Sequence, residues 1–199
     1  MEKKNKKIVW IMAFCIVLSG LVIYPMGCYN EFVTAQEDAT TELANVQTQY
    51  QRRADMMPQL VKIVKAYAKH EKETLEAVTK ARATVGQVQL DPTNLTPQKL
   101  QAYQAAQGEL ASAMSKLMVV AERYPELKAS ENFKALQVQE EGTENRISEA
   151  RRKYNDAVQS YNLKVRQMPA AIVARLFDFQ VMPKFEAAAG AEKAPDLDI

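Results

Sequence analysis

His70 is the only histidine of the chain, and His70-Glu71-Lys72-Glu73-Thr74 has the outline of a helical zinc-protease motif. In that motif two imidazoles one turn apart grip the metal while the glutamate serves as base. Thr74 stands where the second imidazole would be, so the chelate lacks an arm. His70 therefore reads as solvated or bundle-bound. A di-iron bundle needs two Glu-x-x-His pairs on different helices, and one histidine excludes it. No serine or cysteine nucleophile gains a base through a second histidine. Gly86, Gly108, Gly142 and Gly190 are isolated, so no glycine-rich loop cradles a phosphate. The sequence predicts no catalytic residue, no metal, no cofactor and no enzyme.

The remaining candidates are residues for interaction. Arg52, Arg53 and Asp55 cluster just before Pro58. As structure, they read as a helix cap with ion pairs fixing a turn; as function, they read as a contact for a lipid phosphate or a partner. Tyr154-Asn155 and Tyr161-Asn162 lie seven residues apart, which places both tyrosines on one helical face and both asparagines at its edge. Core tyrosines with asparagines bridging helices are expected there, against a recognition strip for a partner helix. Glu141, Glu144, Glu149, Arg146, Arg151 and Arg152 read as a solvated face with intrahelical pairs.

Helices must position these groups. With 6 Gly and 8 Pro in 199 residues, and much Ala, Gln, Glu, Lys and Leu, composition favours long helices. Apolar residues recur in steps of three and four along four stretches. The first carries Ala39, Leu43, Val46 and Tyr50, and the second Leu60, Val64, Tyr67, Leu75 and Val78. The third carries Leu100, Tyr103, Gln107, Leu110, Met114, Leu117 and Ala121, and the fourth Phe133, Leu136, Ile147, Ala150, Tyr154, Val158, Tyr161, Val165 and Met168. Each stripe must be buried against other helices. Asp91 to Pro97 is a connector, with Thr96 as N-cap and Pro97 at the first helical position. Tyr124-Pro125 is a second break. Arg53 to Pro58 is ambiguous. Asp55 could cap a new helix, yet the stripe passes through without a phase shift, as one kinked helix would require. A helix unbroken from Asn30 to about Gly86 would span ~85 Å, too long for its partners to cover. The expectation is therefore a turn near 54–57 and four antiparallel helices, with Asp55→Ala costing about 1 kcal/mol. Residues 186–199 show no periodic apolar face and read as a disordered tail.

Lys3, Lys4, Lys6 and Lys7 precede an uncharged run from Ile8 to Asn30, apolar from Ile8 to Tyr24. Those residues make ~25 Å of helix, and continuing to Tyr29 makes ~33 Å, bracketing the ~30 Å bilayer core. A single membrane anchor is expected over residues 1–28. The next basic residue is Arg52, so the lysine side should stay cytoplasmic and the rest should face outside. Cleavage by signal peptidase and lipidation at Cys28 compete with an uncleaved signal anchor. Pro25-Met26 suits neither competitor, although Gly27 suits a lipidated cysteine. Setting aside Glu2 and the four lysines leaves 22 basic and 23 acidic side chains. The outer part is near neutral, which argues against a nucleic-acid partner. Cys15 and Cys28 both belong to the anchor, so no disulfide framework is possible outside it.

Several motifs in order resemble the LemA family: Tyr29-Asn30, Gln51 to Val61, Val64 to Glu71, Ala81-Arg82, Glu122 to Pro125, Phe133 to Gln137, Thr143 to Ile147, Ala150-Arg151, and the two Tyr-Asn pairs. The resemblance covers about residues 29 to 185. Met56-Met57 stand where Leu-Ile is usual, and Gln59 where Asn is usual. The resemblance implies an all-α protein, with one N-terminal transmembrane helix followed by an antiparallel up-and-down four-helix bundle. It suggests a membrane-associated structural role and supplies no established enzymatic activity. The combined expectation is a single-pass protein of the cell membrane, with the bilayer and another envelope protein as partners, scaffolding in the envelope. The rival expectation is an accessory or ligand-binding bundle, with a pocket lined by Tyr154, Tyr161 and Arg53.

Overall fold

The computed structural model describes residues 2–186, the side chains of residues 2–9, 11, 13, 16 and 17 excepted. Its regular elements are helices: α1 (Glu2–Tyr67), α2 (Lys72–Gln87), a 3-10 turn (Pro92–Asn94), α3 (Pro97–Glu122), α4 (Pro125–Ala129), α5 (Glu131–Arg166) and α6 (Ala170–Leu176). The expected tail lies outside the described residues, apart from Glu186. The described residues divide into two compact units: residues 2–40 with 156–182, and residues 41–155 with 183–186.

The second unit is a helical bundle. Four stretches alternate in direction: the end of α1, α2, α3 and the first part of α5. Gln47 Nε2 donates to the Leu90 carbonyl (3.0 Å) and Arg82 Nε to the Ala54 carbonyl (3.1 Å), which sets α1 and α2 antiparallel. The Tyr50 and Tyr103 rings meet edge-on at 5.5 Å between α1 and α3. The core contains Met57, Leu60, Val64, Val78, Leu110, Leu117, Leu127 and Phe133. Two of the expected breaks are present, at 91–97 and at 124–125. Thr96 Oγ1 accepts from the Lys99 amide at 3.2 Å, Pro97 opens α3, and Pro125 opens α4.

The turn expected near 54–57 is absent: α1 runs through Pro58 to Tyr67. Proline in a helix interior removes the amide that would bond the carbonyl four residues back. That carbonyl belongs to Ala54, which is buried, and Arg82 of α2 donates to it instead. A single α1–α2 cross-link thus lets the helix continue past its proline. The break comes at 68–71, a segment without glycine or proline. Glu71 anchors it, accepting from Arg123 Nη2 at 3.0 Å and Tyr124 Oη at 3.2 Å. Those donors lie at the α3–α4 junction. The length objection fails because the helix stops at 67, so α1 after Asn30 is close in length to α5.

The first unit packs Phe32 and Ala35 of α1 against Tyr161 and Val165 of α5 and Val173 and Ala174 of α6. α6 ends in a Schellman motif: the Phe179 amide bonds the Ala174 carbonyl (2.9 Å) and the Asp178 amide bonds the Arg175 carbonyl (3.4 Å). Asp178 takes the left-handed position at φ 58°. Among the described residues, no helix is long and apolar enough to cross a membrane. Trp10, Met12, Phe14, Leu18, Leu21, Val22, Ile23 and Met26 nevertheless stand exposed along α1.

Candidate functional site

Arg52, Arg53 and Asp55 do not form one cluster. Arg52 is exposed. Asp55 is exposed in mid-helix and accepts from Gln51 Nε2 at 2.7 Å, one turn back, so it caps nothing. Arg53 alone points inward and is 3% exposed. Its Nη1 donates to the Gln107 carbonyl of α3 at 3.3 Å, and its Nη2 pairs with Glu144 of α5. Its guanidinium lies 5.4 Å from the centre of the Tyr50 ring. A cation thereby joins three helices of the bundle.

Beside it, Gln107 is 2% exposed; no group meets full hydrogen-bond geometry with its side-chain amide or with Arg53 Nε, the Tyr103 hydroxyl being the polar group that comes near enough to interact with the amide. Buried polar atoms are nearly always paired, so this cluster is costly for the fold. It adjoins a pocket of about 550 Å³ lined by Tyr50, Arg53, Gln104, Gln107, Glu144, Arg151, Asn155 and Phe185 among others. Burial pushes the Tyr50 hydroxyl above its ordinary range and Tyr103 up to about 12. Burial, then neighbouring Glu144, raises the Glu140 carboxyl. The arrangement can hold a polar guest; it offers no nucleophile paired with a base.

The Tyr-Asn pairs do something other than bridge helices. Each clamps the extended segment after α6 through its main chain. In the first unit Tyr161 Oη donates to the Gln180 carbonyl at 2.8 Å. Asn162 Nδ2 donates to the Met182 carbonyl at 2.8 Å, while its Oδ1 accepts from the Met182 amide at 2.9 Å. In the second unit Tyr154 Oη donates to the Pro183 carbonyl at 2.8 Å, and Asn155 makes the same two-way pair with Phe185, both bonds 2.9 Å. Arg151 Nη2 and Gln104 Nε2 converge on the Glu186 carbonyl at 2.7 and 3.0 Å, and Arg151 lies over the Phe185 ring. The expected pocket of Tyr154, Tyr161 and Arg53 is therefore corrected. Only Arg53 lines the cavity, because both tyrosines spend their hydroxyls on the segment.

His70 is exposed in the α1–α2 turn, and no group of three or more metal-binding side chains occurs among the described residues. Cys28 is half-buried against the Phe32 core. Sequence reasoning missed Gln107, Glu144 and Arg82 as partners. The available signal for Arg82 was Pro58 within an uninterrupted stripe, which requires a donor for residue 54. Nothing in the α5 charge pattern distinguishes Glu144 from its solvated neighbours.

A family model described as the LemA family matches residues 42–198. Among curated proteins, the chain is similar to Magnetosome protein MamQ of Magnetospirillum gryphiswaldense, 25% identical over 174 residues, covering 79% of this chain and 64% of that protein. It is 25% identical over 175 residues to Magnetosome protein MamQ 2 of Paramagnetospirillum magneticum, with the same coverage. It is also similar to Protein LemA of Metamycoplasma hominis, 24% identical over 182 residues, covering 92% of this chain and 80% of that one. The chain thus spans about 64% of the length of the magnetosome relatives it matches.

Proposed function

The chain belongs to the LemA family, and from that premise we propose that it is a membrane-anchored bundle protein of the cell envelope, scaffolding another envelope component. The observation that carries this reading is the exposure of large apolar side chains around most of the girth of α1 between Trp10 and Met26. A helix apolar all round needs a surrounding apolar phase. The lysines before the run orient it with its amino end in the cytoplasm. The relatives called magnetosome proteins lend support, since their name ties them to the magnetosome. A reporter fused after Ile199 should be active outside the cytoplasm, and a cytoplasmic signal would refute the orientation. Uncleaved, the protein keeps Met1; an intact mass showing a diacylglyceryl group on Cys28 would replace the signal anchor with a lipid anchor. Cross-linking in intact membranes followed by capture would identify the scaffolded protein.

A second reading, a ligand-binding accessory subunit, is favoured by the poorly paired Gln107 amide beside the Arg53 pocket. Such an amide costs stability in the empty protein and gains its bonds when a polar guest enters.

A further inference from the structure

In the first unit, Met168, Ile172 and Leu176 are 72%, 61% and 75% exposed. Ile172 and Leu176, four residues apart, share one side of α6, Met168 stands exposed in the turn before it instead of on the buried stripe its spacing suggested, and Val173 and Ala174 are buried in the core. Leu163, Phe177 and Val181 of the same unit are exposed as well. Patches of this kind mark an interaction surface.

The patch has a definite place along the chain. The Tyr29 ring meets the Phe177 ring at 5.1 Å and the Phe179 ring at 5.4 Å, and Phe32 meets Phe179 at 5.2 Å. Tyr29 stands one residue before the end of the uncharged run of α1. The α6 surface therefore sits level with the point where the proposed anchor would leave the hydrocarbon. Aromatic rings at that level suit the headgroup boundary. Charge agrees: exposed Arg166 and Arg175 line a groove of about 390 Å³ beside α6. One carboxylate, Asp178, shares the groove and accepts from Gln180 Nε2 at 2.6 Å, which leaves the groove net positive.

From this juxtaposition we infer that α6 and its flanking turns form an interfacial collar. Met168, Ile172 and Leu176 enter the outer edge of the bilayer, and Arg166 and Arg175 hold phosphates of anionic lipid. The inference rests on the anchored reading above and adds a second, peripheral contact with the same membrane. Apolar insertion combined with basic side chains is the general recipe for interfacial binding.

The test uses the full chain with Cys15 and Cys28 changed to Ser, reconstituted in phosphatidylcholine vesicles with or without phosphatidylglycerol. An environment-sensitive fluorophore is attached to Leu18→Cys, Ile172→Cys, Leu176→Cys or Val119→Cys in turn. Val119 is exposed in the bundle and reports water. The expected result is blue-shifted emission from positions 172 and 176, quenched by brominated lipid, with position 119 unaffected. Arg166→Gln with Arg175→Gln, or omission of phosphatidylglycerol, should reduce that quenching at least twofold and leave position 18 unchanged. Quenching at 18 with watery emission at 172 and 176 overturns the collar alone. No quenching at 18 overturns the anchor on which the collar depends. Emission at 172 that is shielded from water yet insensitive to brominated lipid assigns the face to a protein contact and also overturns the collar.

Discussion

Arg53 and Glu144 are unequal partners. Arg53 is enclosed, whereas the Glu144 side chain is 41% exposed. Removing the carboxylate strands a buried cation, while removing the cation frees a carboxylate that can meet water. Glu144→Ala should therefore cost more than Arg53→Met, by about 2 kcal/mol; the solvent access keeps this below the 3–5 kcal/mol of a fully buried pair. Urea melts of both variants check the order. Gln107→Met replaces a poorly paired amide by an apolar side chain of similar size, and should raise the melting midpoint by about 1 kcal/mol equivalent. If the pocket takes a guest, that gain comes with lost binding. Asp55→Ala should be neutral or stabilise by up to about 0.5 kcal/mol, because an exposed helix interior prefers alanine. This reverses the sign expected for a cap.

At the scale of elements, the passage of α1 through Pro58 can be tested as a cycle. Arg82→Ala should cost about 1–2 kcal/mol, since it leaves the buried Ala54 carbonyl without a donor. In a Pro58→Ala background the restored amide serves that carbonyl, and the same Arg82→Ala change should become nearly silent. Equal costs in both backgrounds would refute the account. This junction also shows what the sequence could convey. The helical stripes and the proline-marked breaks at 97 and 125 were legible because they depend on local chemistry. The break at 68–71 was not, because it is held by Glu71 reaching Arg123 and Tyr124, more than fifty residues away. The candidate site suffered likewise. Arg53, in step with Tyr50, Met57 and Leu60, and Gln107 on the third stripe were both legible as polar residues on apolar faces, but neither stripe names the groups they meet. The Tyr-Asn pairs were recognisable as a repeat, while their target has no periodicity of its own.

For the whole molecule, buried tyrosines set an alkaline limit. Burial raises the hydroxyls of Tyr50, Tyr154 and Tyr161 above the usual value near 10, and raises Tyr103 to about 12. The unfolded chain gives up these protons first. Stability is therefore intact below pH ~10 and falls as the pH climbs toward ~12. The share of tyrosinate absorbance that belongs to these four buried rings should rise together with loss of helix; the exposed rings, such as Tyr67, report nothing on it. His70 lies outside every core contact described, so His70→Ala should leave both stability and cellular phenotype unchanged. Elemental analysis of the purified chain should find no stoichiometric zinc or iron; one ion per chain would refute this.

The clamps also have a grammar of their own, written in proline. Each tyrosine asks its target only for a carbonyl, whereas each asparagine asks for a carbonyl and an amide. Imino acids can answer the first request and never the second. The chain already follows this rule: its proline stands at 183, opposite Tyr154, and the two-way positions 182 and 185 carry Met and Phe. Gln180→Pro should thus keep the segment in place, while Met182→Pro or Phe185→Pro should release the nearest stretch to proteases. The permitted vocabulary of residues 180–185 follows from which atoms are gripped, not from which side chains are present.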